Sequence, residues 1–315
     1  MDQQFAREVM KGLSDKPKYL SSKYFYDEKG DELFQQIMEL DEYYLTKSEY
    51  EILDQQKEEL LKLFANGASR FSLIEFGAGD GLKTKVLLKF FLDQGTDFKY
   101  IPIDISKNAI ELLQTDLKKN FAELEIEGLQ GEYFESLAAM RKTDSTRKVV
   151  LFLGSNIGNF LKPVAIQFLK QIAENLSRGD RLLLGVDLKK DPDKILAAYN
   201  DVKGVTKAFN HNLLERINRE LGGDFKPDQF RHYPVYDPRT GEARSYLVST
   251  VDQTVNIRQI NASFHFKAWE SISMELSQKY DQGTLEELAR ESGFKILRNF
   301  YDSKRYFVDS LWEVK

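Results

Sequence analysis

Short apolar runs alternate with segments of helical apolar spacing over residues 56–188. The runs have the length of buried strands, and the spacing between them is that of amphipathic helices. The predicted strands are 71–76, 99–104, 126–130, 148–153 and 181–187, and the predicted helices are 83–93, 107–119 and 162–177. Strands that alternate with helices predict an α/β fold, in which helices cover both faces of a parallel sheet.

The alternation stops near residue 189 and returns near residue 280. Before the first strand, residues 1–55 are rich in tyrosine and predict helices and turns. The intervening stretch predicts a helical part, 193–221, then prolines and glycines, then strands at 244–251, 254–259 and 271–277. We expect two domains: a sheet domain of 56–188 with 280–315, and an inserted α+β domain of 1–55 with 189–279.

The chain closes with a predicted helix, 284–292, and two predicted strands, 294–301 and 305–314. These strands are expected to form an antiparallel pair. A closing antiparallel pair is typical of class I methyltransferases, whereas a dinucleotide-binding domain usually closes with parallel strands.

A glycine-rich turn, Gly77-Ala78-Gly79-Asp80-Gly81, separates the strand 71–76 from the helix that follows it. The next strand ends in Asp104. Strand, glycine turn, helix, strand and acid is the layout of a nucleotide-binding βαβ unit. Glycines allow a tight turn and a close approach of the ligand. An acid at the end of the second strand can accept hydrogen bonds from both ribose hydroxyls.

The details of this turn favour S-adenosylmethionine over a dinucleotide. In the dinucleotide fingerprint G-x-G-x-x-G the third glycine comes one residue later than Gly81 does here. Glu75 lies just before the turn, where its carboxylate would crowd a pyrophosphate but would tolerate a sulfonium and an amino group. The glycine motif alone leaves open a purely structural turn.

Composition narrows the partners and the chemistry. The net charge is −5, with 45 basic and 50 acidic residues, which gives no reason to expect nucleic acid. The chain has no cysteine, so disulfides and thiolate chemistry are excluded, and its 3 histidines lack metal-binding spacing. No signal pattern and no membrane-length apolar run occur, so we expect a soluble, cytoplasmic protein without a metal.

Several motifs resemble those of one family. The segments are Lys23-Tyr24-Phe25-Tyr26-Asp27, Leu33-Phe34, Glu42-Tyr43-Tyr44, the glycine turn with Lys83-Thr84, 152–160, Gly185-Val186-Asp187-Leu188, Ala198-Tyr199-Asn200-Asp201, 204–210 and 275–280. Together the segments span nearly the whole chain. In their order they resemble the histidine-specific S-adenosylmethionine-dependent methyltransferases, the family that includes the histidine Nα-methyltransferase of ergothioneine biosynthesis.

The resemblance implies a set of cofactor-binding residues. Gly77, Lys83 and Asp104 would hold S-adenosylmethionine, and Tyr43 would lie near its methionine part. Glu132, with Tyr133 after it, would sit beside the adenine, where the family usually has aspartate and phenylalanine. The resemblance also implies a monomer whose partner is a small amino-acid substrate.

The resemblance likewise implies an acceptor site. Asn159 and Tyr199 would hold the amine and the carboxylate of the amino acid. Tyr26, Phe34 and Gly154 would shape the pocket, and Glu275 and Ser277 would hydrogen-bond an imidazole. Two positions depart from the best-known member: Asn156 replaces a threonine, and Ser245 replaces a methionine beside the imidazole. A smaller residue at 245 could admit a larger or differently placed side chain.

The same residue types suit methyl transfer to an amine, and for this reaction we assign Asn159 and Tyr26 as catalytic. The nucleophile must be a neutral amine aimed at the methyl carbon, so positioning and desolvation dominate. The amide oxygen of Asn159 can accept an amine N–H, whereas a carboxylate would favour the unreactive ammonium. Aromatic walls such as Tyr26 tolerate the growing cation, by about 0.5–2 kcal/mol, which permits repeated methylation. Water or a tyrosine hydroxyl would take the proton.

The residue pattern alone leaves purely structural roles for these residues open. Glu275 and Ser277 lie two apart, so on a strand they share a face, but a solvent-facing polar pair has the same spacing. Asn159 could cap the next helix, and Lys83 could be a surface residue. At the level of function, the alternatives are another amino acid or small amine as the acceptor, and a binding module without turnover. A nucleic-acid methyltransferase is disfavoured by the charge.

Overall fold

Strand β1, Phe71–Phe76, lies within a seven-stranded sheet in the part of the chain that the structure describes. This computed structural model describes residues 3–104, 107–131, 133–143 and 146–315. The other strands of the sheet are β2 (Phe98–Asp104), β3 (Leu129–Gln130), β4 (Arg147–Phe152), β5 (Arg181–Asp187), β11 (Phe294–Tyr301) and β12 (Phe307–Val314). Their order is β11-β12-β5-β4-β1-β2-β3. Strand β12 is antiparallel to both neighbours, and the remaining pairs are parallel.

The described chain divides into two units, and the sheet belongs to the second, Leu45–Lys189 with Lys279–Lys315. The helices of this unit are α3 (Tyr44–Ala65), which begins one residue before it, α4 (Thr84–Asp93), α5 (Lys107–Asn120), α6 (Tyr133–Thr143), α7 (Lys162–Asn175) and α10 (Gln282–Glu291). All seven residues of β5 are buried, as expected for a central strand with helices on both faces. One core cluster joins Phe76 of β1, Leu184 of β5 and Trp312 of β12. Each such side chain contributes roughly 1.5–3 kcal/mol by burial.

The first unit comprises the described residues up to Tyr44 together with Lys190–Gln278. Its helices are α1 (Gln3–Ser14), α2 (Glu28–Glu39), α8 (Pro192–Ala198) and α9 (Val205–Leu221), and its strands are β6 (Phe230–Asp237), β7 (Glu242–Ser249), β8 (Gln253–Ile257), β9 (Ala262–Phe266) and β10 (Ser271–Gln278). Strands β10, β7 and β6 form an antiparallel sheet in that order, and β8 pairs with β9. Phe5, Phe25, Leu213 and Phe266 belong to the shared core of this unit.

The α/β prediction is confirmed, including the parallel sheet, the closing antiparallel strand and the α+β character of the inserted part. Strands 71–76 and 181–187 have the predicted bounds. The unit boundaries differ, because helix α3 runs without a break through residue 55, where a boundary was expected. The predicted helix 193–221 is two helices, since Gly204 has a left-handed φ of 73° at the start of the second.

Other elements were not anticipated. Helix α6 and strand β9 were not predicted, and the predicted strand 126–130 reduces to β3 with a single bridge between Ile126 and Tyr100. The expected turn-rich stretch contains strand β6. Its Pro234 is tolerated because β6 is the outer strand of its sheet, where one backbone N–H is not needed for pairing. Within the described residues, none of the helices has the length and apolarity of a membrane span.

A buried ion pair anchors the chain where it re-enters the second unit. Lys279 Nζ lies 2.8 Å from the Asp187 carboxylate at the end of β5, and both side chains are fully buried. The adjacent Tyr280 donates its backbone N–H to the Asp187 carbonyl at 2.9 Å, and its carbonyl accepts the N–H of Lys189 at 2.8 Å. The pair therefore fixes the two chain segments that leave and re-enter this unit.

We predict that Lys279→Met lowers the free energy of unfolding by about 3–5 kcal/mol, because it leaves the Asp187 charge buried without its cation. Lys89→Met is the matched control, since Lys89 pairs with Asp93 at an exposed i,i+4 position and should cost below about 1 kcal/mol. Urea denaturation followed by circular dichroism measures both variants. Equal losses for the two would refute the importance given to the buried pair.

Candidate functional site

The turn between β1 and α4 rests on three glycines in the left-handed region. Gly77, Gly79 and Gly81 have φ values of 64°, 55° and 65°, which other residues adopt at a cost. The N–H of Gly77 donates to the carbonyl of Ile103 at 3.0 Å, which ties the turn to the end of β2. No described atom comes within 4 Å of the place where a Cβ on Gly79 would stand. The turn therefore offers open backbone to a ligand.

A second turn follows β4 at the same edge of the sheet. Gly154 has a φ of 75°, and a Cβ there would stand 3.4 Å from Lys83 Nζ and 3.5 Å from Asn156 Nδ2. The same amide nitrogen lies 4.0 Å from the Cβ position of Gly77. Of the residues predicted for the site, the structure thus brings Gly77, Lys83, Gly154 and Asn156 together at the carboxyl ends of β1 and β4.

Two further predicted residues of this unit are Tyr133 at the start of α6 and Asp104 at the end of β2. Tyr133 stacks on Phe76, with ring centroids 4.5 Å apart, and its hydroxyl lies 3.2 Å from the Cβ position of Gly77. Asp104 is the last residue of β2 and is half-buried. Glu132, predicted to contact the adenine, lies outside the described residues.

Asn159 is exposed at the end of a short 3₁₀ turn, Asn156–Asn159. The alternative that it caps the following helix is wrong, because α7 begins at Lys162 with Leu161 as its N-cap. Its amide is therefore not committed to the start of that helix.

Glu75 supports the glycine turn from within the unit. Its carboxylate is buried and accepts hydrogen bonds from the Thr84 hydroxyl at 2.7 Å and the Tyr100 hydroxyl at 2.5 Å. Burial raises its pKa from 4.5 to about 7, and these two hydrogen bonds only partly oppose the rise. The residue therefore changes charge near neutral pH while it links β1, β2 and the start of α4.

Four aromatic residues of the first unit form a cluster, and three of them, Tyr26, Phe34 and Tyr43, were predicted for the site. The ring of Phe34 lies 5.5 Å from Tyr26, 6.3 Å from Tyr43 and 5.9 Å from Phe209, measured between centroids. Tyr26 remains 49% exposed. Phe209 belongs to this cluster, although its only signal in the sequence was its place in a family motif. The structure thus brings the predicted residues Tyr26, Phe34 and Tyr43 together.

The backbone beside Tyr26 is fixed by an N-cap. Asp27 caps helix α2 by accepting the N–H of Gly30 at 2.8 Å, and it also accepts from the Asn212 amide at 2.7 Å and from the Arg219 guanidinium. A Cβ on Gly30 would stand 1.7 Å from the Phe25 carbonyl oxygen, so only glycine fits there. These contacts hold the short segment that carries Tyr26.

Polar residues predicted to contact the acceptor meet on strands β7 and β10. Glu275 pairs with Ser245 across the two strands, next to a bulge between Ser273 and Glu275. The Tyr199 hydroxyl donates to the Ser277 hydroxyl at 2.8 Å. Ser277 is buried and Glu275 is partly buried, so the alternative of a solvent-facing polar pair is wrong.

Two electrostatic features mark this group. Among the described residues, the buried Ser245 hydroxyl has no hydrogen-bond partner. The pKa of Tyr26 is raised above its usual value, first by desolvation of the Tyr26 hydroxyl and second by the Glu275 charge. Tyr26 therefore keeps its proton at neutral pH.

The fold and these turns define a class I S-adenosylmethionine-dependent methyltransferase. A sequence profile of the family described as histidine-specific, S-adenosylmethionine-dependent methyltransferases matches residues 5–314. The histidine N-alpha-methyltransferase of Mycolicibacterium smegmatis is 35% identical over 290 residues, which cover 92% of this chain and 88% of that protein. That of Mycobacterium tuberculosis is 35% identical over 274 residues, which cover 87% and 84%.

Among solved structures, mitomycin 7-O-methyltransferase MmcR is similar, with a TM-score of 0.51 and 12% identity. The similarity covers 99% of this chain and 67% of that one, and it concerns the fold alone. The profile and the two relatives go further. This chain belongs to the histidine-specific S-adenosylmethionine-dependent methyltransferase family and is an N-methyltransferase that uses S-adenosylmethionine.

The pKa of Glu75 leads to a prediction about stability. Because the folded protein holds this proton more tightly than the unfolded chain does, the stability that this group contributes is fully present below pH 4.5 and is lost as pH rises through about 7. We predict that Glu75→Gln, a neutral isostere, is more stable than the native protein by about 3 kcal/mol at pH 8 and nearly equal at pH 5.

Thermal unfolding at both pH values measures this difference. Glu123→Gln, at an exposed position of the same unit, is the control and should leave the pH dependence of the melting temperature unchanged. A Glu75→Gln variant that is destabilised at pH 8 would show that the native protein depends on the Glu75 charge, contrary to this prediction.

Proposed function

We propose that this protein transfers methyl groups from S-adenosylmethionine to the α-amine of L-histidine, up to Nα-trimethylhistidine. The observation that carries the proposal is the group of Glu275, Ser277 and Tyr199, in which two hydroxyls and a carboxylate are held by strand pairing and by a 2.8 Å hydrogen bond. The names of the two mycobacterial relatives support the same acceptor.

The residues of the second unit fit the cofactor. The glycine turn leaves room that a Cβ at Gly77 would fill, Asp104 offers a carboxylate for ribose hydroxyls, and Lys83 offers an ammonium for a carboxylate. Tyr133 and Glu132 are assigned to the adenine, and Tyr43 to the methionine part. When bound, S-adenosylmethionine supplies a methyl group on a sulfonium.

The acceptor amine must be neutral and must be held in one orientation. We assign its recognition to Asn159, because an amide oxygen accepts an N–H without stabilising the ammonium. Gly154 and Asn156 belong to the turn that precedes it. The aromatic cluster of Tyr26, Phe34 and Phe209 excludes water and tolerates the cation that accumulates with successive methyl groups, by about 0.5–2 kcal/mol for each favourable ring contact.

The acceptor's side chain is assigned to Glu275 and Ser277. A carboxylate accepts the N–H of one imidazole nitrogen, and a hydroxyl can donate to the other. The Tyr199 hydroxyl donates to the Ser277 oxygen, and this hydrogen bond orients the Ser277 hydroxyl. A carboxylate and a hydroxyl on one strand suit the two ring nitrogens of a neutral imidazole.

We predict that Glu275→Gln weakens binding of L-histidine by about 10- to 100-fold, because the glutamine amide can still accept the imidazole N–H but the charge that strengthens this hydrogen bond is removed. Calorimetry with L-histidine and Nα,Nα-dimethylhistidine, in the presence of S-adenosylhomocysteine, measures the change, and mass spectrometry identifies the products. Glu242→Gln, on β7 of the same sheet, is the matched control and should keep native affinity. Undiminished histidine binding by Glu275→Gln would remove Glu275 from the acceptor site.

A second candidate is a different amino acid as the acceptor, and the buried Ser245 hydroxyl without a described partner favours it. A short side chain with an unused donor, opposite Glu275, suits an acceptor that brings its own polar atom or a larger group. The resemblance places a methionine at this position in the family's best-known member.

We predict that Ser245→Met keeps binding of L-histidine within about threefold if histidine is the acceptor, because the change removes no contact assigned to the imidazole. A screen of amino acids for S-adenosylhomocysteine release then compares native protein and variant. Loss of turnover on every accepted substrate in Ser245→Met would favour the second candidate, in which the acceptor occupies the space beside Ser245.

A further inference from the structure

A glutamate interrupts the buried stripe of helix α3. Leu45, Ile52, Leu53 and Leu60 of this helix are buried and apolar, as an amphipathic helix against a sheet requires. Glu49 lies on the same stripe and is fully buried. A buried carboxylate carries a desolvation cost that must be offset by specific partners, so its contacts indicate what it does.

The Glu49 carboxylate joins the two turns of the cofactor edge. Its Oε1 accepts the backbone N–H of Gly154 at 2.7 Å, and its Oε2 forms an ion pair with Lys83 Nζ. Lys83 comes directly before α4, after the glycine turn, whereas Gly154 begins the turn after β4. Each oxygen therefore fixes a different turn.

The lysine has little freedom in this arrangement. Its side chain is 22% exposed, and a Cβ on Gly154 would stand 3.4 Å from its Nζ. Desolvation acts to lower the pKa of Lys83, but the Glu49 carboxylate outweighs it and the pKa is raised. Lys83 thus remains charged at neutral pH, with one side held by Glu49.

Asp309 of β12 completes the group behind Glu49. If Gly185 of β5 carried a Cβ, that atom would stand 2.1 Å from Glu49 Oε1 and 3.0 Å from Asp309 Oδ1, so the missing side chain is what lets the two acids share this space. Within the described ranges, neither Asp309 oxygen meets a hydrogen-bond donor. Burial and the Glu49 charge raise the pKa of Asp309 well above its usual range. Burial and the nearby Glu49 carboxylate therefore favour the neutral form of Asp309.

We propose that Glu49 is a positioning residue for methyl transfer: it sets the place of the Lys83 ammonium and of the Gly154 turn together. Asp309 lies behind Glu49 beside Gly185, while the two Glu49 oxygens contact the Gly154 N–H and the Lys83 ammonium. The inference rests on the cofactor role proposed for Lys83 and does not depend on which amine accepts the methyl group. Glu49 itself touches neither the cofactor nor the acceptor in this assignment.

The test is calorimetric binding of S-adenosylhomocysteine to Glu49→Gln, together with steady-state kinetics. The substitution keeps an acceptor for Gly154 but removes the charge that holds Lys83. We expect S-adenosylhomocysteine to bind about tenfold more weakly, and KM for S-adenosylmethionine to rise more than kcat falls. Ser48→Ala, a buried position next to Glu49 that contacts Asp302 instead, is the matched control and should keep native affinity.

A double-mutant cycle separates positioning from mere support of the fold. If Glu49 acts through Lys83, then Glu49→Gln placed in a Lys83→Met protein should change the affinity by less than about twofold. A further tenfold loss in that background would overturn the proposal. So would a single Glu49→Gln variant that melts earlier but binds S-adenosylhomocysteine with native affinity.

Three further outcomes are also decisive. If Glu49→Gln alone does not fold, the comparison of Lys83→Met with the double variant still decides between the two roles, because both lack the buried pair's cation. The native protein could bind S-adenosylhomocysteine but not histidine, while Glu49→Gln weakens the binding of S-adenosylhomocysteine. Histidine is then excluded as the acceptor, and the positioning role of Glu49 is supported. If the native protein binds both ligands and Glu49→Gln leaves the affinity for S-adenosylhomocysteine unchanged, the positioning role is excluded while histidine remains the proposed acceptor.

Discussion

The reversal of strand order at β1 is the constraint on which the rest of the second unit depends. From β1 the chain proceeds outward to β2 and β3, and it then returns to β4 on the other side of β1. Because all these strands are parallel, the turns after β1 and β4 emerge at one edge and diverge from a shared crevice. Gly77 and Gly154, far apart in sequence, therefore approach the same Asn156 amide. A ligand at this point meets backbone from both turns.

The chemistry placed beneath that crevice is unusual for a sheet interior. Glu75, Glu49 and Asp309 bring acidic groups to buried positions, and Lys83 is the cation that faces them. Purely apolar residues would pack there at lower cost. Burial raises the pKa of Glu75 and of Asp309 and so favours their neutral forms, which lowers the desolvation cost of these two acids. The Glu49 carboxylate is paired with the Lys83 ammonium.

Much of this architecture could be predicted from the sequence pattern, because a strand buried on both faces is a mostly apolar run, as in 71–76 and 181–187. Strand β6 could not, since a proline inside a run argues against a strand, and only the outer position of β6 in its sheet makes Pro234 acceptable. The family resemblance named Lys83, Gly154 and Glu275 for the site. The resemblance could not assign a role to Glu49 or Asp309, because these residues are far apart in the sequence and come together only in the fold, beside Gly185. Phe209 is part of a family motif in the sequence, but only the structure places its ring against Tyr26 and Phe34.

The two units use different backbone geometries for recognition, and this has a consequence for specificity under the proposed function. In that function, cofactor groups would be met by turns at the end of parallel strands, where glycine conformation and buried charges limit the side chains that fit. Acceptor groups would be met by side chains on β7 and β10, where neighbours are set by cross-strand register. Serine at position 245 faces Glu275 across the two strands, whereas Ser277 pairs with Ala243 and accepts a hydrogen bond from Tyr199. Under this assignment, a substitution at position 245 would change one acceptor contact while the cofactor turns keep their geometry.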